Sequence, residues 1–392
     1  LATASLGEGD PPGGVVRRDE AGRPEGCLYE TATRLVTVHI PPPSQDELAA
    51  AIEALGHELV SLGVVACHDP GGVAPDPDLT YDVPVYTRLA ERGDLPVRVH
   101  VCVRDDALEA AIAHGLRSGA VLGADPDGRA KVGWQKCFAD GSLGSRTAAL
   151  LEDIEPEADR PLAAHLRRGV WMTEPDGLAA RVARATAGGI TTTIHAIGDA
   201  AVRAALDVLA PGAAAHPLMP RIEHVQMLHP DDRGRFAREG IAASVQPVHL
   251  GSDAITARRL WGTRAEAEAY TWKAIADTGA VMPFGTDAPV EPIDPWPGLA
   301  LAVRREDPRW PAGTPPYAPE QALSLDRALR GNCVDPAVSA RELDRGRLTV
   351  GQRADMVVLA AAALDDPVEP GGALATARPL LVLMDGEVVY DR

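Results

Sequence analysis

Lysine and aromatic residues are both scarce in this chain of 392 residues: three lysines stand against 35 arginines, and Phe, Trp and Tyr together make 4%. The five cysteines (Cys27, Cys67, Cys102, Cys137, Cys333) lie far apart and form no C-x-x-C pair. That excludes a disulfide scaffold or a structural zinc knot and predicts a reducing, cytoplasmic setting. No run approaches the roughly 18 consecutive apolar residues that would cross a bilayer. Net positive charge is missing as well: a formal charge of −18 argues against nucleic acid or an anionic membrane surface as partner. The opening residues, LATASLGEGDPPGG, carry neither a basic n-region nor a long apolar h-region, so no signal peptide is expected. A start at Leu1 predicts a fragment or a processed chain.

What is present suits a large core. Apolar residues make 45% of the chain, too many for disorder. From Ser44 the segment SQDELAAAIEALGHELVSLG pairs Ser44 with Glu47 as a capping box, spaces Leu48, Ile52, Leu55, Leu59 and Leu62 for a helix, and stops at Gly63. A short apolar run, 64–69, follows. Similar runs recur at 97–103, 133–140, 191–199, 221–227, 242–248 and 281–287, with helical stretches expected at 105–117, 175–187, 199–210, 230–239 and 264–278. Buried runs alternating with helices predict a parallel sheet covered on both faces. Seven runs are one short of an eight-stranded α/β barrel. The last 50 or so residues turn β-rich, with Asp385-Gly386 as a hairpin turn. The expected organisation is a barrel over 1–335 and a small β-sandwich segment over 336–392.

Polar residues recur near the C-terminal ends of the runs, the active-site face of a barrel: Asp69, Asp140, His195, His224 and Asp287. His195 and His224 sit in apolar runs one strand apart, so neutral imidazoles there can share a metal ion. Lys136 is costly to bury in its run; either an ion pair holds it, or it is carbamylated and bridges metals. Asp287 follows Gly-Thr and can bind a metal and take a proton from water, or simply cap its turn. The loop DGSLGSRTAAL offers Asp140, Ser142, Ser145 and Arg146 as a substrate lip. His68 and His249 are read as pocket wall. The stretches 141–190, with Trp171 and Met172, and 250–272, with Trp261 and Tyr270, are further expected walls. No G-x-S-x-G elbow, P-loop or H-E-x-x-H occurs.

The phrases KCFADGSLGSRTAAL at 136–150, IHAIGDAAV at 194–202, RIEHVQML at 221–228, SVQPVHLGSD at 244–253, FGTDAPVEPIDPW at 284–296 and GRLTVGQRADMVVL at 346–359 resemble the YtcJ-like branch of the amidohydrolases, family 3. So does DPPGGVVRRDEAGRPEGCLYE at 10–30. This branch includes N-substituted formamide deformylases. The resemblance implies a metal-dependent hydrolase on a (β/α)8 TIM barrel with a composite β-sandwich. It implies metal ligation by Lys136, His195, His224 and Asp287, with Lys136 at the position of a lysine that can be carbamylated. The family opens its barrel with an H-x-H pair on strand 1, and no H-x-H occurs here, so the first strand is expected to be missing.

The expected function is hydrolysis of non-peptide, amide-type C–N bonds by metal-activated water. Zinc is the expected ion, as one or two equivalents, with Asp287 as proton shuttle and Asp140, Ser142, Arg146 and His249 around a small-molecule substrate. Two alternatives stand beside it: a non-catalytic remnant that binds a ligand or single metal, and a deaminase of the same superfamily. Oligomeric state is open.

Overall fold

The computed structural model describes residues 9–19, 21–72, 76–156, 162–365 and 372–392. The first eight residues, where a signal peptide was sought, lie outside them. An antiparallel hairpin comes first, β1 (Gly14–Arg18) with β2 (Pro24–Glu30). Six parallel strands follow: β3 (Ala66–Asp69), β4 (Arg98–Arg104), β5 (Ala130–Phe138), β6 (Thr192–Ala196), β7 (Arg221–His224) and β8 (Ala242–Ser244). Sequence neighbours are spatial neighbours throughout, which makes the sheet a curled half-barrel.

Strands β4 to β8 are buried almost end to end because helices cover their outer face. Val85 and Leu89 of helix Asp82–Arg92 pack with Val99, Val101 and Val132. Leu178 and Val182 of helix Pro175–Ala187, and Val202 and Leu206 of helix Asp199–Leu209, pack with Ile194 and Ile222. At β3 every residue is only half-buried, as befits an edge. The helix Gln45–Ser61 that leads into it starts with the expected capping box: Ser44 Oγ accepts from Glu47 N at 3.2 Å, and the Glu47 carboxylate accepts from Ser44 N at 2.8 Å.

The seventh run, 281–287, touches the sheet without becoming a strand. It meets β8 through a single parallel bridge, Val245 to Phe284, with Ala243 N donating to Val281 O and Val245 N to Pro283 O. Of its own N–H groups, Gly285 N donates back to the Val245 carbonyl, while Met282 N reaches the Asp335 carboxylate and Phe284 N the Gly331 carbonyl of the helix Leu325–Ser339. Pro283 has none to give.

One expectation about local structure is corrected, and one stretch gains an assignment. Residues 250–261 belong to a helix, His249–Trp261, and the helix expected over 264–278 is two short ones, Arg264–Glu268 and Trp272–Ala276. Trp261 and Tyr270 are buried in the main core. Near the C-terminus, β9 (Met356–Val358), β10 (Leu381–Met384) and β11 (Glu387–Asp391) form an antiparallel sheet. Asp385 and Gly386, at φ 54° and 85°, make the turn between the last two, both in the left-handed region a two-residue hairpin requires.

Candidate metal centre

The barrel interior is built from polar residues at successive heights. Because side chains alternate along a strand, Arg221 and Glu223 on β7 point the same way. Arg221 donates from Nε to Glu223 at 2.6 Å and from Nη1 to His68 Nδ1 at 2.7 Å, while its guanidinium lies 4.0 Å over the Trp134 ring. Glu223 also accepts from Thr193 Oγ1 at 2.6 Å. Burial pushes the Glu223 carboxyl up, but the Arg221 and Lys136 charges and its hydrogen bonds bring it down to about 2. Lys136 on β5 is buried with its ammonium 4.8 Å over the Phe138 ring. Burial lowers its pKa, opposed by Glu223 and Asp287.

Above this column lie three imidazoles. The His195 and His224 rings are 4.5 Å apart, and those of His224 and His249 are 5.9 Å apart. His195 Nε2 donates to the Gly141 carbonyl at 3.1 Å, which leaves Nδ1 as its lone-pair nitrogen. Burial, helped by Lys136, holds His195 at about 4 and, helped by His195, holds His224 well below its ordinary range. Both are therefore neutral, the state a metal ligand needs. His249 differs. Burial lowers it, yet the carboxylates of Asp287, Asp253 and Glu291 win and raise it.

One nitrogen each of His224 and His249 and a carboxylate oxygen of Asp287 lie within 4.8 Å of one another. His249 Nε2 is 3.3 Å from Asp287 Oδ2, outside hydrogen-bonding geometry. His224 Nδ1 and His249 Nε2 are thus buried with no hydrogen-bond partner, a cost a divalent ion would relieve. Backbone strain collects here too: His224, Val225 and Asp287 have φ of 77°, 46° and 59°. Such conformations persist only where the surroundings enforce them. The left-handed turn ends β7 and brings His224 to the same mouth as Asp287. The residues present fit a divalent metal.

A family model described as the amidohydrolase family matches residues 2–390. This chain belongs to the amidohydrolase family. It is 28% identical to YtcJ of Bacillus subtilis over 386 residues, covering 98% of this chain and 69% of that one. It is 24% identical to an N-substituted formamide deformylase of Arthrobacter pascens, covering 98% of this chain and 68% of that protein. Among solved structures, an uncharacterised metal-dependent hydrolase from Pyrococcus horikoshii superposes with a TM-score of 0.68 at 26% identity, over 82% of this chain and 61% of that one. This amidohydrolase chain therefore spans about two thirds of the length of these relatives.

The expected site residues are placed as follows. Asp287, His224 and His249 converge, with His195 beside His224. The expected four-ligand set did not include His249, read from sequence as pocket wall. Asp140, expected on a substrate lip, is 0% exposed. Its two oxygens accept from the backbone N–H groups of Ala149, Ile197 and Gly198 at 2.8, 3.0 and 2.8 Å. It pins the loops after β5 and β6 to each other, and a substrate has no access to it. Ser142 and the half-buried Arg146 lie on that first loop. The loop is tied to Glu30 of the hairpin, which accepts from Ser145 Oγ at 2.8 Å and Thr147 Oγ1 at 2.6 Å. Sequence reading missed Arg221 and Glu223; the available signal was two opposite charges at i and i+2 in an apolar strand.

Proposed function

We propose that this chain carries the metal centre of an amidohydrolase that cleaves an amide-type C–N bond in a small molecule. The observation that carries this reading is the convergence of His224, His249 and Asp287, two of them with unpartnered buried nitrogens, at the C-terminal mouth of a parallel barrel sheet. These three residues would hold a divalent ion, with zinc suited to an imidazole and carboxylate donor set, and His195 and Lys136 adjoin them. When bound, the ion polarises a carbonyl and lowers the pKa of water.

The chain's own residues supply the rest. The Asp287 carboxylate, half-buried at the mouth, accepts a proton from water and delivers it to the leaving nitrogen. His249 faces Glu291 through Nδ1 at 3.8 Å, which leaves Nε2, 3.3 Å from Asp287, as the nitrogen that would face the ion. His195, anchored on Gly141 O, fixes the loop that carries Ser142 and Arg146 against the site. Burial moves Lys136 toward the neutral amine that carbamylation requires. The likeness to an N-substituted formamide deformylase supports the amide-type substrate.

The test is metal content with turnover. We expect one or two equivalents of a divalent metal, hydrolysis of a panel of N-substituted formamides and other small amides, and loss of both metal and turnover in His224→Ala. Metal bound without turnover favours the non-catalytic alternative, and ammonia release favours deamination. Full metal occupancy in His224→Ala overturns the assignment.

A further inference from the structure

At the other end of the strands, away from the three imidazoles, lies a second polar cavity of about 290 Å³, lined by His100, Ser118, Lys131, Leu218, Arg341 and Glu342, among others. His100 enters from the start of β4 and Lys131 from the start of β5. Arg341 and Glu342 follow the helix Leu325–Ser339.

The charges in this cavity do not balance. Glu342 accepts from Lys131 Nζ at 2.6 Å through Oε1, and its other oxygen pairs with Arg345. Arg341 stands exposed at the rim, its guanidinium without a partner among the described residues. One carboxylate therefore faces three cations. Around it Asp355 and Asp385 pair with Arg98, and Asp344 and Asp385 with Arg353; with these neighbours counted, five cations meet four carboxylates and one positive charge is left over. His100 is 2% exposed, and its Nε2 has no hydrogen-bond partner; the nearest acidic oxygen, on Glu342, is 3.6 Å away. Burial above all, and then the charges of Arg345, Lys131 and Arg221, hold His100 near 3. Positive charge concentrated in a concave, partly dry site raises the local concentration of anions.

We propose that this cavity binds a small oxyanion, a phosphate or carboxylate group, gripped by Lys131 and Arg341 with the His100 imidazole as a hydrogen-bonding wall. The site stands apart from the metal centre and does not depend on the reading given to that centre. An arginine at the rim supplies a planar fork and a lysine further in supplies a point charge, the combination suited to a group with two or three equivalent oxygens.

The experiment is calorimetric titration of the full chain with inorganic phosphate and, separately, with acetate. At least one should saturate. Arg341→Glu, at an exposed position that leaves the core untouched, should weaken binding about tenfold or more, the loss of one charge-assisted contact. Lys131→Met should weaken it similarly, while His224→Ala and chelator treatment leave it unchanged. Saturation by phosphate alone assigns a phosphoryl ligand, and saturation by acetate alone a carboxylate. The proposal is overturned if neither anion saturates, or if Arg341→Glu binds as tightly as the unaltered chain.

Discussion

Substituting Asp140 separates two roles that a sequence cannot tell apart. As a substrate ligand, Asp140 would affect catalysis and leave stability alone. As the buried clamp described above, it should do the reverse first. Asp140→Asn keeps the shape but turns one acceptor into a donor that faces a backbone N–H. At least one of the three hydrogen bonds is lost and a donor is left unsatisfied, a cost of about 1–3 kcal/mol. Asp140→Ala removes all three and should cost about 3–5 kcal/mol, a large share of a typical folding free energy. With a urea slope of about 3 kcal/mol/M, the Asn variant should lower the unfolding midpoint by roughly 0.3–1 M, read by tryptophan fluorescence.

The pH dependence carries a second signature. Burial pushes the Asp140 carboxyl up to about 8, well above the ordinary carboxylate range of an unfolded chain. A folded-state pKa above the unfolded one means that this group's contribution is fullest below about pH 4 and declines as pH rises toward 8. Asn does not titrate, so the pH dependence that Asp140 contributes over that interval should vanish in the variant. A variant that unfolds at the same urea concentration yet loses activity would refute the clamp.

Asp287→Asn should cut turnover by about a hundredfold or more with metal content largely kept, measured on whichever amide the chain hydrolyses. Unchanged turnover would remove its proton-transfer role. Arg221→Met strands the buried Glu223 carboxylate and should destabilise by about 3–5 kcal/mol, whereas the double change with Glu223→Leu should recover most of that loss. His100 and His195, at about 3 and 4, are neutral when folded, while an unfolded imidazole takes up its proton near 6.5. Each therefore removes stability as pH falls below about 6.5, and His100→Gln should flatten the acid limb of the stability curve. In Gly331→Ala the new Cβ would lie 2.8 Å from the Phe284 ring, so a loss of about 1–3 kcal/mol together with reduced activity is expected, since Phe284 leads to Asp287.

Where a physical signal was local, the sequence showed it. The Ser44–Glu47 capping box, the Asp385-Gly386 turn and the apolar strands around His195 and His224 all lie within a few residues of their cause. Signals set by distant partners were not visible. Residues 281–287 have a strand's composition, yet the N–H groups of Met282 and Phe284 are drawn to Asp335 and Gly331, some fifty residues away. His249 looked like a strand end because QPV precedes it, and HLGSDAIT opens with glycine and serine, weak markers of the helix that it begins. Trp261 and Tyr270 were expected in a pocket wall, but their burial in the core depends on packing between distant segments. The left-handed backbone at His224, which decides where its ring points, is a consequence of packing.

The ion column of Lys136, Glu223 and Arg221 also bears on how this protein can be altered. Buried charges of this kind are a poor way to gain stability, since well-packed apolar residues of equal volume are often neutral or stabilising in their place. The scaffold thus has spare stability that its interior leaves unused, and an apolar redesign of the column should yield a hardier barrel. The same redesign would remove the Lys136 charge that helps burial lower His195 and His224 at the mouth. Directed evolution for heat resistance alone should drift toward that apolar interior and lose function on the way, so a selection that keeps both must hold these three residues fixed and look for its gains on the helical shell.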